Sequence, residues 1–158
     1  MSFLARSAEE RDLEPLVSLA QQFSLLNMPA DENILKTKIR KSLLSFSGEV
    51  SRQEAEYLFI IEDLETNTAV GCALIIAKHG TAEVPHNYFK VLKKERFSRD
   101  IGIGFIHTIL RFQRNSDGPS EIGGLLVDRS YRRRPEKLGR LISLIRFLYI
   151  SMEPDKFE

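Results

Sequence analysis

The segment Glu56–Asp63 constrains the fold of this chain more than any other part of the sequence. Its centre reads Tyr-Leu-Phe-Ile-Ile, so that odd and even positions are both apolar. Successive side chains of a β-strand point to opposite faces of a sheet, and a strand of this kind therefore needs apolar cover on both sides. The segment predicts a central strand with packed layers above and below it.

The residues before and after this strand supply its neighbours. A polar turn over 65–68 and an apolar run over 69–77 predict a hairpin partner for it. A short strand is predicted over 3–5, and Ser7 and Glu10 have the spacing of a capping box at the head of a first helix. That helix has an apolar face made of Leu13, Leu16, Val17 and Ala20.

A second helix is predicted after Pro29 and Asp31, because a helical stripe of apolar residues follows them. The stripe consists of Leu35, Ile39, Leu43 and Phe46. Four cations lie largely off this stripe, and they are interpreted as a solvated face: Lys36, Lys38, Arg40 and Lys41.

The second half of the chain has a weaker pattern. Residues 78–104 show no clear period, and 105–112 fit either a strand or a short helix. If 105–112 are extended, the turn over 115–119 joins them in a hairpin to a strand over 121–128. A long helix is predicted over 135–152, and it needs packing on more than one side because Ser143 and Arg146 are its main polar residues after Leu141.

This order of segments predicts a single α+β domain over residues 1–158, with a mixed, mostly antiparallel sheet flanked by helices. With 23 Lys and Arg against 22 Asp and Glu, the net charge of +1 argues against a nucleic-acid or membrane-surface protein. The single cysteine, Cys72, excludes a disulfide framework. We find no signal peptide pattern and no apolar run of bilayer length, and we expect a cytoplasmic protein.

Concentrated positive charge coincides with a strand end and a helix start at only one place in the sequence. The stretch 129–140 contains six cations and one acid, Glu136. Unpaired N–H groups and the positive dipole end make a helix start suitable for binding phosphate, and Gly139 permits close approach to its backbone. The alternatives are a solvated basic loop in which Gly139 serves helix packing, or nucleic-acid binding through Arg132, Arg133 and Arg134. Nucleic-acid binding is disfavoured because the loop has no interleaved aromatic residue beyond Tyr131.

Seven segments of the sequence together resemble the arginine N-succinyltransferases, within the Gcn5-related N-acyltransferases (GNAT). They are Arg6 with Asp12-Leu13; 26–30; 57–63; 68–71; 86–88; 120–128; and 139–143 with Arg146-Phe147. In the superfamily, the fourth strand leads into a loop of the pattern Gln/Arg-x-x-Gly-x-Gly/Ala that binds the pyrophosphate of coenzyme A. The loop of this chain departs from that pattern, since Gly139 is its one glycine.

The resemblance implies a GNAT-like fold and an acyl-coenzyme A site. Its predicted residues are Leu125, Leu126, Val127, Arg132, Arg133, Arg134, Lys137, Leu138, Gly139 and Arg140. Backbone N–H from Leu125 or Leu126 would polarise the thioester. The implied reaction is succinyl transfer from succinyl-CoA to the α-amine of arginine or ornithine, without a metal. A non-catalytic coenzyme A-binding or regulatory subunit is the alternative.

The resemblance also predicts an incomplete unit. The family places a further strand after the coenzyme A-binding helix and takes its proton-donating histidine from a second half that this sequence lacks. No catalytic residue is therefore assigned, although His86 or Tyr88 could exchange a proton with an amine. The missing strands predict a homo-oligomer or a partner subunit, and negligible turnover by this chain alone.

Overall fold

The computed structural model describes residues 2–157. Its regular elements are β1 Phe3–Ser7, α1 Leu13–Gln21, α2 Glu32–Ser47, β2 Glu56–Asp63, β3 Thr68–Ile76, β4 His86–Ser98, β5 Ile103–Asn115, β6 Glu121–Val127 and α3 Leu138–Met152. They form two compact units. The sheet unit comprises the chain up to Lys78 and again from Pro119, and the hairpin unit comprises His79–Gly118. The single domain expected over 1–158 stays a prediction.

The sheet unit is built on four antiparallel strands in the order β1-β2-β3-β6. β2 lies between β1 and β3, which confirms the central position predicted from its apolar sequence. On one face of β2, Leu58 and Ile60 pack with α1 and α2. On the other face, Tyr57, Phe59 and Ile61 pack with α3. The two-sided apolar pattern therefore exists because helices cover both faces of the sheet.

The hairpin unit corrects the strand pairing expected for the second half of the chain. Residues 105–112 are extended, but they belong to β5, which pairs with β4 and not with the strand over 121–128. That strand, β6, pairs instead with β3. The local turn signal at 115–119 does mark the end of β5, but turn residues do not determine which strand pairs with which. The unassigned stretch 78–104 contains all of β4, and the sequence did not predict this strand because its apolar and charged residues do not alternate cleanly.

Two local expectations for the first half are wrong. Ser7 lies in β1, and the capping box is formed by Glu9 and Asp12 at a 3-10 turn, where the Asp12 carboxylate accepts a hydrogen bond from the Glu9 N–H at 2.7 Å. Lys38 and Lys41 are not simply solvated, since both pair with the Glu56 carboxylate, at 2.8 and 2.9 Å. The α2 cations therefore help to attach the helix to the start of β2.

The end of the sheet unit positions the candidate site. α3 begins at Leu138 rather than at Pro135, because Lys137 adopts a left-handed backbone that separates the loop from the helix. Leu138 and Ile142 bury one face of α3 against Val127 and the sheet. After α3, the described residues contain only a 3-10 turn, Pro154–Lys156, and no strand.

Candidate functional site

The predicted site residues gather around one open cavity of about 380 Å³ between the end of β6 and the start of α3. Nine of the ten line it: Leu125, Val127, Arg132, Arg133, Arg134, Lys137, Leu138, Gly139 and Arg140. The exception is Leu126, whose side chain is buried in the core on the α1 side of the sheet. The cavity therefore joins an edge strand, a basic loop and a helix N-terminus.

β6 contains a bulge at the border of this cavity. Leu126 is in register with Cys72, and Gly123 with Leu74, so that two residues of β6 oppose Ala73 alone. The first of them, Gly124, has a φ of 57°, the left-handed conformation of a glycine bulge. The bulge directs Leu125 outward, and its side chain is 43% exposed. A strand end of this kind offers backbone groups to a ligand that lies along it.

The orientation of the backbone distinguishes Leu125 from Leu126 as hydrogen-bond donors. The Asp128 N–H donates to Val70 O at 2.9 Å, so this group points toward β3. N–H groups of an antiparallel strand alternate between its two edges, and the Leu126 N–H accordingly faces β3 as well. The same alternation turns the Val127 backbone toward the open edge, where Val127 O accepts a hydrogen bond from Arg132 Nε at 3.0 Å. We infer that the Leu125 N–H, two residues earlier at the bulge, faces the same edge.

Two arginines of the loop are held in place by aromatic rings and backbone carbonyls. The Arg132 guanidinium lies 4.5 Å from the centre of the Phe23 ring, and that of Arg134 lies 4.0 Å from the Tyr131 ring. Arg134 Nε also donates to Ser130 O at 3.1 Å. Such cation–π contacts fix the direction of the charges without neutralising them.

The loop itself is anchored to the sheet by carboxylates. Tyr131 donates its hydroxyl proton to Asp63 at 2.8 Å, and Gln22 donates to Asp128 at 2.6 Å. Burial alone raises the pKa of Asp128, but hydrogen bonds from Ser130 and Gln22 outweigh it and hold the pKa below its ordinary value. Asp128 is therefore an ionised anchor at neutral pH.

The beginning of α3 leaves positive groups available. Arg140 N and Leu141 N both donate to Lys137 O, so the N–H groups of Leu138 and Gly139 precede the first helical hydrogen bonds. Lys137, with a φ of 52°, stands two residues before Gly139. Within residues 2–157, four cavity cations form no ion pair: Arg132, Arg133, Lys137 and Arg140. This surface attracts anions.

Packing does not require Gly139 to be a glycine. A Cβ atom added there would meet only Val127 Cγ2, at 3.9 Å, which is an ordinary van der Waals contact. The explanation that this glycine serves tight helix packing therefore has no support in the geometry. The absence of a side chain instead leaves the first turn of α3 open on the cavity side.

Sequence reasoning missed two residues of the cavity wall, Phe23 and Tyr131. Phe23 follows α1 by two positions, far from the loop in sequence, and nothing local connects it to Arg132. Tyr131 lies inside the basic stretch, and an aromatic residue between arginines was the available signal. Both rings provide the surfaces on which the loop arginines lie.

Clustered metal ligands or the single thiol among residues 2–157 could serve an active site. No group of three or more His, Cys, Asp or Glu residues there could hold a metal ion. Cys72 is fully buried, and burial raises its pKa to about 12, which makes it a poor nucleophile. Nor does any helix among residues 2–157 have the length and apolar character needed to cross a membrane.

Comparison with known sequences gives one consistent result. The sequence profile of the family described as "AstA: Arginine N-succinyltransferase beta subunit" matches residues 3–158. An arginine N-succinyltransferase of Photorhabdus laumondii is 31% identical over 156 residues, which are 98% of this chain and 45% of that protein. The chain thus spans less than half the length of this relative.

Solved structures share the fold. Subunit AI of arginine/ornithine succinyltransferase from Pseudomonas aeruginosa superposes with a TM-score of 0.87 at 28% identity, over 99% of this chain and 47% of that one. Glucosamine-6-phosphate N-acetyltransferase from Arabidopsis thaliana superposes with a TM-score of 0.52 at 11% identity, over 96% of this chain and 76% of that one. The second likeness concerns the fold alone.

Proposed function

The chain belongs to the arginine N-succinyltransferase beta subunit family, and from that premise we propose that it binds an acyl-coenzyme A for transfer of the acyl group to an amino acid amine. The family implies succinyl-CoA as donor and arginine or ornithine as acceptor, in the cytoplasm. One observation carries the proposal: the β6 edge, the unpaired cations and the α3 N-terminus line a single cavity.

The pyrophosphate is proposed to lie at the start of α3. The Leu138 and Gly139 N–H groups can donate to phosphate oxygens, and the helix dipole adds a partial positive charge there. Lys137 and Arg140 flank these groups with unpaired charge. Lys137 occupies the position of the first glycine in the superfamily pattern. In this loop the pyrophosphate would therefore contact both backbone N–H groups and charged side chains.

The pantetheine arm is proposed to lie along the open edge of β6, with the thioester at the bulge. The outward-facing Leu125 N–H is the donor that would polarise the thioester carbonyl, since the Leu126 N–H is used within the sheet. In the reaction, the amine nitrogen attacks this carbonyl carbon and the C–S bond breaks. Coenzyme A leaves as the thiol after taking up a proton, and the nitrogen loses one.

Removal of the loop charges should weaken binding of coenzyme A. We expect Arg132, Arg133 and Arg134 replaced together by alanine to lower the affinity at least about 30-fold, because charge-assisted hydrogen bonds contribute roughly 1.5–3 kcal/mol each. The dependence of affinity on salt should also become shallower. Isothermal titration with coenzyme A at several salt concentrations measures both quantities.

The matched control removes three exposed cations from the hairpin unit, at Lys90, Lys93 and Lys94. This variant has the same net charge as the first, but it leaves the cavity lining unchanged. We expect its affinity and salt dependence to equal those of the unchanged protein. Equal losses in the two triple variants would place the phosphate site elsewhere.

The second candidate is a coenzyme A-binding subunit without activity of its own. An apolar stripe on α3 supports association with a partner or a second copy. Its exposed members are Leu141, Leu144, Phe147, Leu148 and Met152. Such a stripe is expected where another chain packs against a helix.

An assay for free thiol release from succinyl-CoA with arginine separates the two candidates. We expect protein that sedimentation shows to be monomeric to bind coenzyme A measurably and to have negligible turnover. Robust turnover by the monomer would instead establish a complete enzyme and would require a proton acceptor within this chain.

A further inference from the structure

Arg146 is a buried guanidinium without a carboxylate partner. It keeps 6% of its accessible surface, and its contacts are neutral: Nη1 donates to Gly123 O at 3.1 Å, Nη2 to Ser143 Oγ at 3.1 Å, and Nε to Ser143 O at 3.4 Å. None of the described carboxylates forms an ion pair with it. Burial alone accounts for its lowered pKa.

This arrangement contrasts with that of Arg6, whose side chain is 13% exposed and contacts the carboxylates of Asp12 and Glu62. A buried charge without a counterion costs stability, and an aliphatic side chain of similar length would fill the same space at lower cost. A guanidinium has five N–H donors, and the three hydrogen bonds of Arg146 leave two of them for another acceptor. The missing counterion is most simply an anionic ligand.

Arg146 lies at the end of the site opposite the proposed pyrophosphate position. Seven residues of α3 separate it from Gly139, a distance of about 10 Å at 1.5 Å per residue. On β6, its partner Gly123 lies four residues before Val127, roughly 13 Å along the strand. The guanidinium therefore stands beside the bulge, where a pantetheine arm that follows β6 away from the α3 N-terminus brings its acyl group.

We propose that Arg146 is a specificity-determining residue that binds the distal carboxylate of a dicarboxylic acyl group, such as the four-carbon succinyl group. This inference rests on the proposed coenzyme A site. Guanidinium and carboxylate form a bidentate, charge-assisted pair, which supplies the missing counterion. A neutral acyl group of the same length, such as butyryl, leaves the buried charge unpaired and is therefore rejected.

The test compares Arg146→Met with the unchanged protein by titration with coenzyme A, butyryl-CoA and succinyl-CoA. The unchanged protein should bind succinyl-CoA at least about tenfold more tightly than butyryl-CoA. The methionine variant should lose at least about 30-fold in affinity for succinyl-CoA, while its affinity for free coenzyme A changes less than about threefold. Its preference between the two acyl groups should disappear or reverse.

A purely structural role for Arg146 predicts a different result. The substitution would then lower the affinity for all three ligands by the same factor, so the ratio of the affinities for succinyl-CoA and butyryl-CoA would not change. That result would overturn the inference. If Arg146→Met fails to fold, Arg146→Lys decides, because it keeps the charge and loses the bidentate fork. A reduced succinyl-CoA preference at unchanged coenzyme A affinity supports the inference, and an unchanged preference refutes it.

The outcomes also separate this inference from the proposed function. Binding of coenzyme A by the unchanged protein without any preference for succinyl-CoA overturns the role of Arg146 alone. Failure of all three ligands to bind the unchanged protein overturns both.

Discussion

Replacing Arg6 by alanine is expected to destabilise the fold by about 3–5 kcal/mol, the usual cost of removing one partner from a buried ion pair. Arg6 donates to both carboxylate oxygens of Asp12, at 2.7 and 2.8 Å, and to Glu62 at 2.7 Å. The side chains of Asp12 and Glu62 are 3% and 4% exposed. Without Arg6, Asp12 would lose the guanidinium that compensates its charge, and Glu62 would be left with Arg11, at 2.9 Å. Domains of this size are stable by roughly 5–15 kcal/mol, and the loss is therefore severe. Urea unfolding measures it.

The control for this prediction is Arg40→Ala. Arg40 and Glu10 form an ion pair at 3.8 Å between side chains that are 62% and 74% exposed. Surface pairs of this kind contribute at most about 1 kcal/mol. If Arg6→Ala is no more destabilising than Arg40→Ala, the buried network does not stabilise the fold.

The same network determines how stability depends on pH. The hydrogen bond from Arg6 holds the pKa of Glu62 below its ordinary value. A carboxyl group whose pKa is lower in the folded state contributes stability that is fully present above its unfolded pKa of about 4.3. This contribution is lost as the pH falls further, through the folded pKa. We therefore expect the Arg6→Ala variant to lose less stability than the unchanged protein on acidification below about pH 4.3.

Replacing Gly124 by alanine is expected to cost about 2–5 kcal/mol, from a left-handed backbone and an overpacked core together. The φ of Gly124 is 57°, and an added Cβ would lie 2.9 Å from Leu74 Cβ and 3.0 Å from Met28 Cγ. Relief of that crowding requires the bulge to move, and Leu125 moves with it. We accordingly expect weaker succinyl-CoA binding in titrations of whatever folded protein remains.

Gly48→Ala is the matched control for the backbone contribution. Gly48 ends α2 with a φ of 77°, and no atom lies within 4 Å of an added Cβ. This variant should lose only the conformational part, about 1–2 kcal/mol, and should bind coenzyme A normally. An equal loss of stability in the two variants would mean that the residues around the bulge accommodate the added Cβ without a further loss of unfolding free energy.

Sequence patterns predicted the parts of this protein that depend on neighbouring residues. The two-sided apolar run of β2 required cover on both faces, and helices provide it on both. The stretch 129–140 was identified because its six cations are close in sequence, and the cavity lining includes Arg132, Arg133, Arg134, Lys137 and Arg140. In both cases the residues that determine the feature lie together in one short segment of the sequence.

Only the tertiary structure decided the features that join distant segments. β6 pairs with β3 across more than 40 residues. This pairing decides which backbone N–H of β6, that of Leu125 or that of Leu126, faces the open edge of the sheet. The sequence marked Arg146 only as a polar residue of an apolar helix and as part of the family resemblance, and its contact with Gly123 is what places it beside the bulge. Strand pairing and the placement of a buried charge depend on the free energy of the whole packed core, and a local sequence pattern does not contain that information.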